Sequence, residues 1–182
     1  MCIDIRETVE ADLPAIFRIM TDPQVRPMQF RLSRHDTIEG WMRLLFSAPK
    51  RCGVLSRCTS IVRNEIIIGH VNHSHFEVGN QRYCYCGWNL APEYWGRGIT
   101  VLALSKLFDQ FFREQQINMV ISECFASNQR CRRVLEKLNY IAVGVPLHDR
   151  LQTLVFRRCL HWICRFQLTA DRWYMRTLVD GR

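Results

Sequence analysis

One stretch of eleven residues, Leu90-Ala91-Pro92-Glu93-Tyr94-Trp95-Gly96-Arg97-Gly98-Ile99-Thr100, constrains this chain more than any other. An extended run ends there, a short loop follows, and two glycines stand where a long helix begins. Glycine lets backbone approach a ligand closely, and the first turn of a helix offers unpaired N–H groups and a positive dipole end. A pyrophosphate is the natural occupant of such a turn, although two nearby glycines taken alone read more readily as a plain strand-to-helix turn. Other phosphate loops are excluded by residue type. No lysine follows a glycine here, so there is no Walker A loop. A dinucleotide fingerprint needs a third glycine where Val101 stands and an acidic ribose partner where Asn118 to Ile121 stand. No Gly-x-Ser-x-Gly elbow is present.

Around this turn the apolar periodicity sets out one domain over residues 1–182, with no repeat and no Gly/Ser- or Pro-rich linker. Helical spacing appears at Leu13, Ile16, Phe17 and Met20. It recurs at Ile38, Trp41, Met42 and Leu45, opened by Ser33 and Asp36, and at Cys131, Val134, Leu135 and Leu138. Asn128 or Ser127 can cap the last of these, and Asn139 can end it in a left-handed conformation. A longer helix is expected from Gly98 to Gln116, burying Val101, Leu104, Phe108 and Phe111 and turning Ser105, Asp109, Gln110 and Arg113 outward. Extended runs fall at 3–6, 54–62, 65–76, 81–90, 117–124, 140–145 and 154–166, with Gly79-Asn80 a two-residue hairpin. The expectation is an α/β (α+β) fold: a mixed, mainly antiparallel sheet of about seven strands flanked by four helices.

Composition narrows the function classes. Of 182 residues, 48% are hydrophobic and 23% charged, which is a globular balance. No apolar run reaches the ~18 residues a membrane span needs. The start Met1-Cys2-Ile3-Asp4-Ile5-Arg6 does not read as a signal peptide, so a cytoplasmic protein without membrane contact is expected. The net charge is +8, and residues 92–182 hold 14 basic against 8 acidic groups. All but three basic residues are arginine, which suits phosphate or carboxylate ligands. No basic run is interleaved with aromatics, so nucleic acid is not the expected partner. Nine cysteines, with no Cys-x-x-Cys pair, point to reduced thiols.

Four pieces, in order and spacing, resemble a known family. Trp95-Gly96-Arg97-Gly98-Ile99-Thr100 resembles the acyl-CoA pyrophosphate loop of the GNAT superfamily of N-acetyltransferases, in the form seen in the branch of ribosomal-protein N-terminal acetyltransferases. Ile68-Gly69-His70 and Gly87-Trp88-Asn89-Leu90 are similar to that branch's third and fourth strands. Asn128 in Ala126-Ser127-Asn128-Gln129, followed by Leu135-Glu136-Lys137-Leu138-Asn139-Tyr140, is similar to its Asn-x-x-Ser and Leu-x-Lys-x-Gly-Phe helix. The likeness spans roughly residues 3–166.

The resemblance implies transfer of an acetyl group from acetyl-CoA directly to a primary amine, on a protein N-terminus or a small molecule. It assigns the pyrophosphate to the amides of Gly96, Arg97, Gly98, Ile99 and Thr100, and the pantetheine arm to backbone near Asn89, Leu90 and Ala91 and to Asn128. Arg130 or Arg133 is left for the adenosine phosphate, with Arg133 preferred. Several family positions are replaced. Tyr85 and Val143 stand where the branch often has carboxylates, Cys131 replaces the serine, and Val101-Leu102 replaces Thr-Glu. The expected catalytic residues are Glu123, Tyr85 and Cys131, with His73 and His75 as further proton acceptors. A GNAT-like domain that binds acyl-CoA with little turnover is the alternative. Acceptor contacts are expected from the first two helices and the hairpin loops, where Arg26, Arg31 and Arg34 read equally as attracting an acidic acceptor or as surface charge. The aromatic tail at Trp162, Phe166, Trp173 and Tyr174 offers a homodimer contact, with packing on its own domain the preferred use of at least Trp162 and Phe166.

The hairpin carries one further pattern. A two-residue turn at Gly79-Asn80 puts His75 opposite Cys84 and His73 opposite Cys86, a Cys2His2 set on one sheet face. The spacing matches no standard zinc motif, and strand residues packed beneath helices read equally well, so the sequence assigns no metal.

Overall fold

The computed structural model describes residues 3–29, 37, 55–143 and 163–179. Seven strands form one sheet: β1 (Asp4–Glu7), β2 (Leu55–Arg63), β3 (Ile66–Val78), β4 (Gln81–Leu90), β5 (Met119–Phe125), β6 (Ile141–Val143) and β7 (Ile163–Thr169). Their spatial order is β1-β2-β3-β4-β5-β7-β6, antiparallel throughout except for β4 with β5. Four α-helices are described: α1 (Leu13–Thr21), α2 (Ile99–Asp109), α3 (Gln129–Lys137) and α4 (Ala170–Val179). The mixed, mainly antiparallel seven-stranded sheet is therefore the expected one.

Turn chemistry fixes the register. Asn64 and Glu65 both have positive φ, the signature of a type I′ link between β2 and β3. Gly79 takes φ +60° between β3 and β4, so Val78 faces Gln81, His75 faces Cys84 and His73 faces Cys86, as the sequence predicts. Ile68 is an extra residue in β3, because Val62 pairs with Ile67 while Ile61 pairs with Gly69.

The two sheet faces are covered differently. On one, Ile16 and Met20 of α1 pack with Cys58 and Ile67. The start of α1 is pinned by Asp12, whose carboxylate accepts from Arg6 Nη1 and Nη2 at 2.6 and 2.7 Å, Ser60 Oγ at 2.9 Å and the Val9 amide at 3.1 Å. Burial works to raise the Asp12 carboxyl; the bonds from Arg6, Val9 and Ser60 outweigh it and hold it below the ordinary value. The other face carries the main core, where Leu104, Phe108 and Phe111 beside α2 and Leu135 and Leu138 beside α3 are fully buried. Asn128 Oδ1 caps α3 by accepting the Cys131 amide at 3.1 Å, and Asn139 ends it at φ +65°.

Three expectations change. The long helix is regular only to Asp109 and then widens to a π-type turn over Gln110–Glu114. Ser105 does not face solvent, and Asp109 is only half-exposed, pairing with Arg113 at 3.6 Å while also meeting α4. Ser105 is buried and accepts from Arg176 Nη1 at 3.3 Å, and Asp109 Oδ1 accepts from Trp173 Nε1 at 3.0 Å. The cause is α4, which lies along that side of α2 and inserts Trp173 against Phe108 and Phe112. Trp173 is accordingly a core residue of its own chain rather than a dimer contact. The helix expected around Ile38, Trp41, Met42 and Leu45, its capping pair Ser33 and Asp36, and Arg31, Arg34, Trp162 and residues 144–162 lie outside the described residues.

Gly69 is where β3 and β4 come closest. A Cβ there would sit 2.6 Å from the Asn89 carbonyl oxygen and 2.9 Å from a Leu90 methyl. Backbone held in a ladder cannot give way cheaply. Gly69→Ala is expected to lower stability by about 1–3 kcal/mol, read as a drop in the urea midpoint at unchanged slope.

Candidate active site

β4 and β5 run in parallel but pair only at Tyr83–Met119, Cys84–Val120 and Tyr85–Ile121. Beyond that point the strands part, although β4 continues to Leu90 and β5 to Phe125. Alternation then decides which backbone groups face the gap. The Ala91 amide bonds Ile68 O at 2.9 Å on the β3 side, and Arg82 O accepts the Asn118 amide at 2.8 Å on the β5 side. Even-numbered β4 residues thus turn their N–H and C=O toward β5, and odd-numbered ones toward β3.

This alters the expected pantetheine contacts. The backbone groups of Asn89 and the Ala91 amide face β3, the Ala91 carbonyl accepts the Tyr94 amide at 3.0 Å, and the Leu90 carbonyl accepts Trp95 Nε1 at 2.7 Å. The Leu90 amide and both backbone groups of Trp88 point into the gap. Trp88 is the residue the sequence reading passed over; strand alternation counted back from Ala91 is the signal that finds it. The Asn89 side chain lines the cleft and lies 3.3 Å from His70 Nε2 through its Nδ2. Burial pushes His70 down to about 4, so its ring is neutral at physiological pH.

The gap opens into a cleft of about 520 Å³. One end is the glycine loop. Gly96 and Gly98 have φ +75° and +73°, and a Cβ on either would meet no protein atom within 4 Å. Among the described residues no acceptor takes the amides of Gly96, Arg97, Gly98, Ile99 or Thr100, and the first intrahelical bond begins only at Leu102 N to Gly98 O, 3.1 Å. These glycines are required by backbone conformation and by what comes near them, not by packing. A diphosphate fits the chemistry: five free donors, a helix N-terminus and cations close by. Arg130 lies 4.6 Å over the Trp95 ring, and Arg130, Arg133 and Lys137 all line the same cleft. Trp95 thereby holds Arg130 at the loop, a role Arg133 does not share. The Asn128 Oδ1 is engaged in capping α3, which leaves its amide group for a ligand.

At the fork itself the structure brings Tyr85 and Glu123 together. Tyr85 Oη donates to Glu123 Oε1 at 3.0 Å, and Arg165 reaches the same oxygen through Nε and Nη2, each at 2.7 Å. Among the described residues nothing donates to Oε2. A carboxylate oriented in this way by three donors presents one oxygen as a proton acceptor.

Cys131 also lines the cleft, beside Cys124. The hydrogen bond to Cys124 and burial push the Cys131 thiol up from its ordinary value. His73 and His75 do not line the cleft. They lie on the α2 face against Phe111, where burial pushes them down to about 3 and about 4. Val25, Met28 and Gln29, with Met20 of α1, also line the cleft, so the segment after α1 borders it.

A family model described as an acetyltransferase (GNAT) domain matches residues 3–141. The chain belongs to the GNAT acetyltransferase family. Among solved structures it is similar to ribosomal-protein-S5-alanine acetyltransferase from Vibrio fischeri, at 19% identity and a TM-score of 0.70 over 94% of each chain. It is likewise similar to RimJ of Mycobacterium smegmatis in complex with CoA-disulfide, at 18% identity and TM-score 0.75 over 99% of this chain and 90% of that one. A chimera of spermidine N-acetyltransferase SpeG from Vibrio cholerae and hSSAT matches at 12% identity and TM-score 0.72 over 94% and 98%. A search of curated protein sequences returns no match. Among the described residues no helix is long and apolar enough to cross a membrane.

Gly98→Val adds a branched side chain at a positive φ and fills the space above the free amides. It is expected to remain folded, with unchanged far-ultraviolet circular dichroism, and to lack the thermal stabilisation that CoA is expected to give the unsubstituted protein. Normal stabilisation of that variant would refute the loop assignment.

Proposed function

We propose that this protein is an acetyl-CoA-dependent N-acetyltransferase acting on a primary amine of a protein N-terminus or a small molecule. The observation that carries the reading is the continuity of five unpartnered loop amides with the open gap between β4 and β5. Gly96 to Thr100 hold the diphosphate, Arg130 and Arg133 attract the separate phosphate on the adenosine ribose, and Trp88, the Leu90 amide and Asn128 receive the amide-bearing arm. Acetyl-CoA supplies the acetyl group as an activated thioester. Chain geometry then does two things. The fork holds the reacting end beside Tyr85 and Glu123, and Glu123 Oε2, directly or through one water, takes the proton that the acceptor ammonium must lose. Tyr85 and Arg165 fix the carboxylate so that its free oxygen faces the cleft.

Acceptor choice rests on the cleft lining at and after α1. Met20, Val25, Met28 and Gln29 carry no charge, and Glu123 is the one carboxylate among the described cleft residues, already paired with Arg165. That lining favours a monoamine over a polyamine, whose several charges need several carboxylates.

The elevated Cys131 thiol and the paired Glu123 favour one rival, an acyl-CoA-binding domain with little turnover. A thiol-release assay with acetyl-CoA separates the two across peptides with free N-termini, amino acids, polyamines and aminated small molecules. Release with at least one acceptor is the expected result; stabilisation by acetyl-CoA with release from none supports the rival. With a working acceptor, Glu123→Gln is expected to lower kcat by about 10²-fold or more while the acetyl-CoA-dependent thermal shift is retained.

A further inference from the structure

The β3–β4 hairpin carries a second cluster that the acetyl-transfer site does not use. The two-residue turn sets His75 opposite Cys84 in a non-hydrogen-bonded pair, the kind that brings side chains closest. His73, two residues back on β3, projects from the same face. Its Nδ1 lies 2.7 Å from His75 Nε2, and His75 Nε2 lies 3.8 Å from Cys84 Sγ. The three ligand atoms all fall within 4.8 Å of one another. Cys84 and His73 are buried and His75 is half-buried, so one member reaches the rim by which an ion enters.

We propose that His73 Nδ1, His75 Nε2 and Cys84 Sγ form a binding site for a soft d10 metal ion, zinc(II) or copper(I). Imidazole nitrogen and thiolate are the donors such ions select. A tetrahedral or trigonal ion at ordinary bond lengths needs N···N of about 3.3 Å and N···S of about 3.6 Å. Opening the histidine pair by about 0.6 Å and drawing Cys84 slightly inward reaches that geometry through side-chain torsions alone.

The surroundings complete the design. His73 Nε2 lies 3.1 Å from Thr59 Oγ1. With Nδ1 on the metal, the ring hydrogen moves to Nε2 and is donated to that hydroxyl, the outer-shell bond that orients ligating histidines. Both imidazoles are neutral already, so they change tautomer without losing a proton. Binding releases one proton, from the Cys84 thiol, as the S–H bond is replaced by S–metal. The Phe111 ring packs against both histidines at centroid distances of 5.0 and 5.1 Å and shields the site on the α2 side. Charged and titratable neighbours are few: Arg57 from β2 acts on both histidines, and Cys86 follows Cys84 on the same face of β4. Cys86 Sγ is not among the converging atoms, so a fourth position stays with water or with Cys86 after a rotamer change.

The test uses tag-free full-length protein stripped with chelator, then reconstituted with zinc(II), or anaerobically with copper(I), and freed of excess ion by gel filtration. Elemental analysis is expected to find about one equivalent of at least one ion on the wild type and at least tenfold less on Cys84→Ala and on His75→Gln. Cys164→Ser, which removes a thiol outside the cluster, should retain the wild-type amount. The two reconstitution arms identify which ion the site takes. Cobalt(II) in the same protein should show a thiolate charge-transfer band that Cys84→Ala lacks. Failure of the wild type to retain more than about a tenth of an equivalent of either ion overturns the proposal, and that result does not depend on any variant folding. Equal retention by both cluster variants also overturns it. Neither outcome touches the acetyl-transfer reading, which is measured by thiol release.

Discussion

The fork between β4 and β5 is the constraint on which the site depends. Two parallel strands that pair for three residues and then separate leave backbone donors and acceptors pointing into a gap, and unpaired buried backbone is costly. A ligand with its own amides can satisfy those groups, as a third strand would. The surrounding fold keeps the fork from closing. β4 is held along its other edge by the continuous ladder to β3, while β5 is held by β7 from Met119 to Phe125. Each strand is fully engaged on its far side, so neither can swing across. The open edge is a consequence of the topology rather than of local flexibility.

The same fork explains why the chemistry clusters where it does. Tyr85 belongs to the last β4–β5 pair and Glu123 stands two residues past it on β5. Their side chains share a face, and the tyrosine hydroxyl spans the widening gap to reach the carboxylate at 3.0 Å. Arg165 on β7 is directly opposite Glu123 in the neighbouring ladder, which makes that ion pair a product of register. The two strands that flank β5 each contribute one side chain, Tyr85 from β4 and Arg165 from β7, to one oxygen of the Glu123 carboxylate.

Much of this was legible in the sequence, for identifiable reasons. Short-range rules determine turns and caps, so the Gly79-Asn80 register, the Asn128 cap and the Asn139 terminus can be read from a few residues. The glycine loop is legible because no packing demand explains Gly96 and Gly98. The outward assignment failed at Ser105 and held only in part at the half-exposed Asp109 because it took the helix alone; α4, more than sixty residues later, supplies Arg176 and Trp173 to that face. The Glu123–Arg165 pair was equally hidden, since the ladder joining β5 to β7 spans a long insertion. Expecting Asn89 and Ala91 rather than Trp88 at the gap was an error of parity. A motif gives positions along a strand, but only the hydrogen-bonded neighbour says which way each backbone group turns.

Parity also links the two sites on β4. Even-numbered residues send their side chains to the α2 face and their backbone groups toward β5, so Cys84 contributes a thiol to the histidine cluster from the strand that borders the cleft. Tyr85, the next residue, sends its side chain to the opposite face and reaches Glu123. Strand alternation therefore lets one ten-residue segment serve a buried cluster and an open cleft without the two sharing an atom. A change at Cys84 acts on the core face beneath Phe111, and a change at Tyr85 acts on the fork. Any coupling between them must pass through the β4 backbone, which is tied to β3 along its whole length and has little freedom to transmit it.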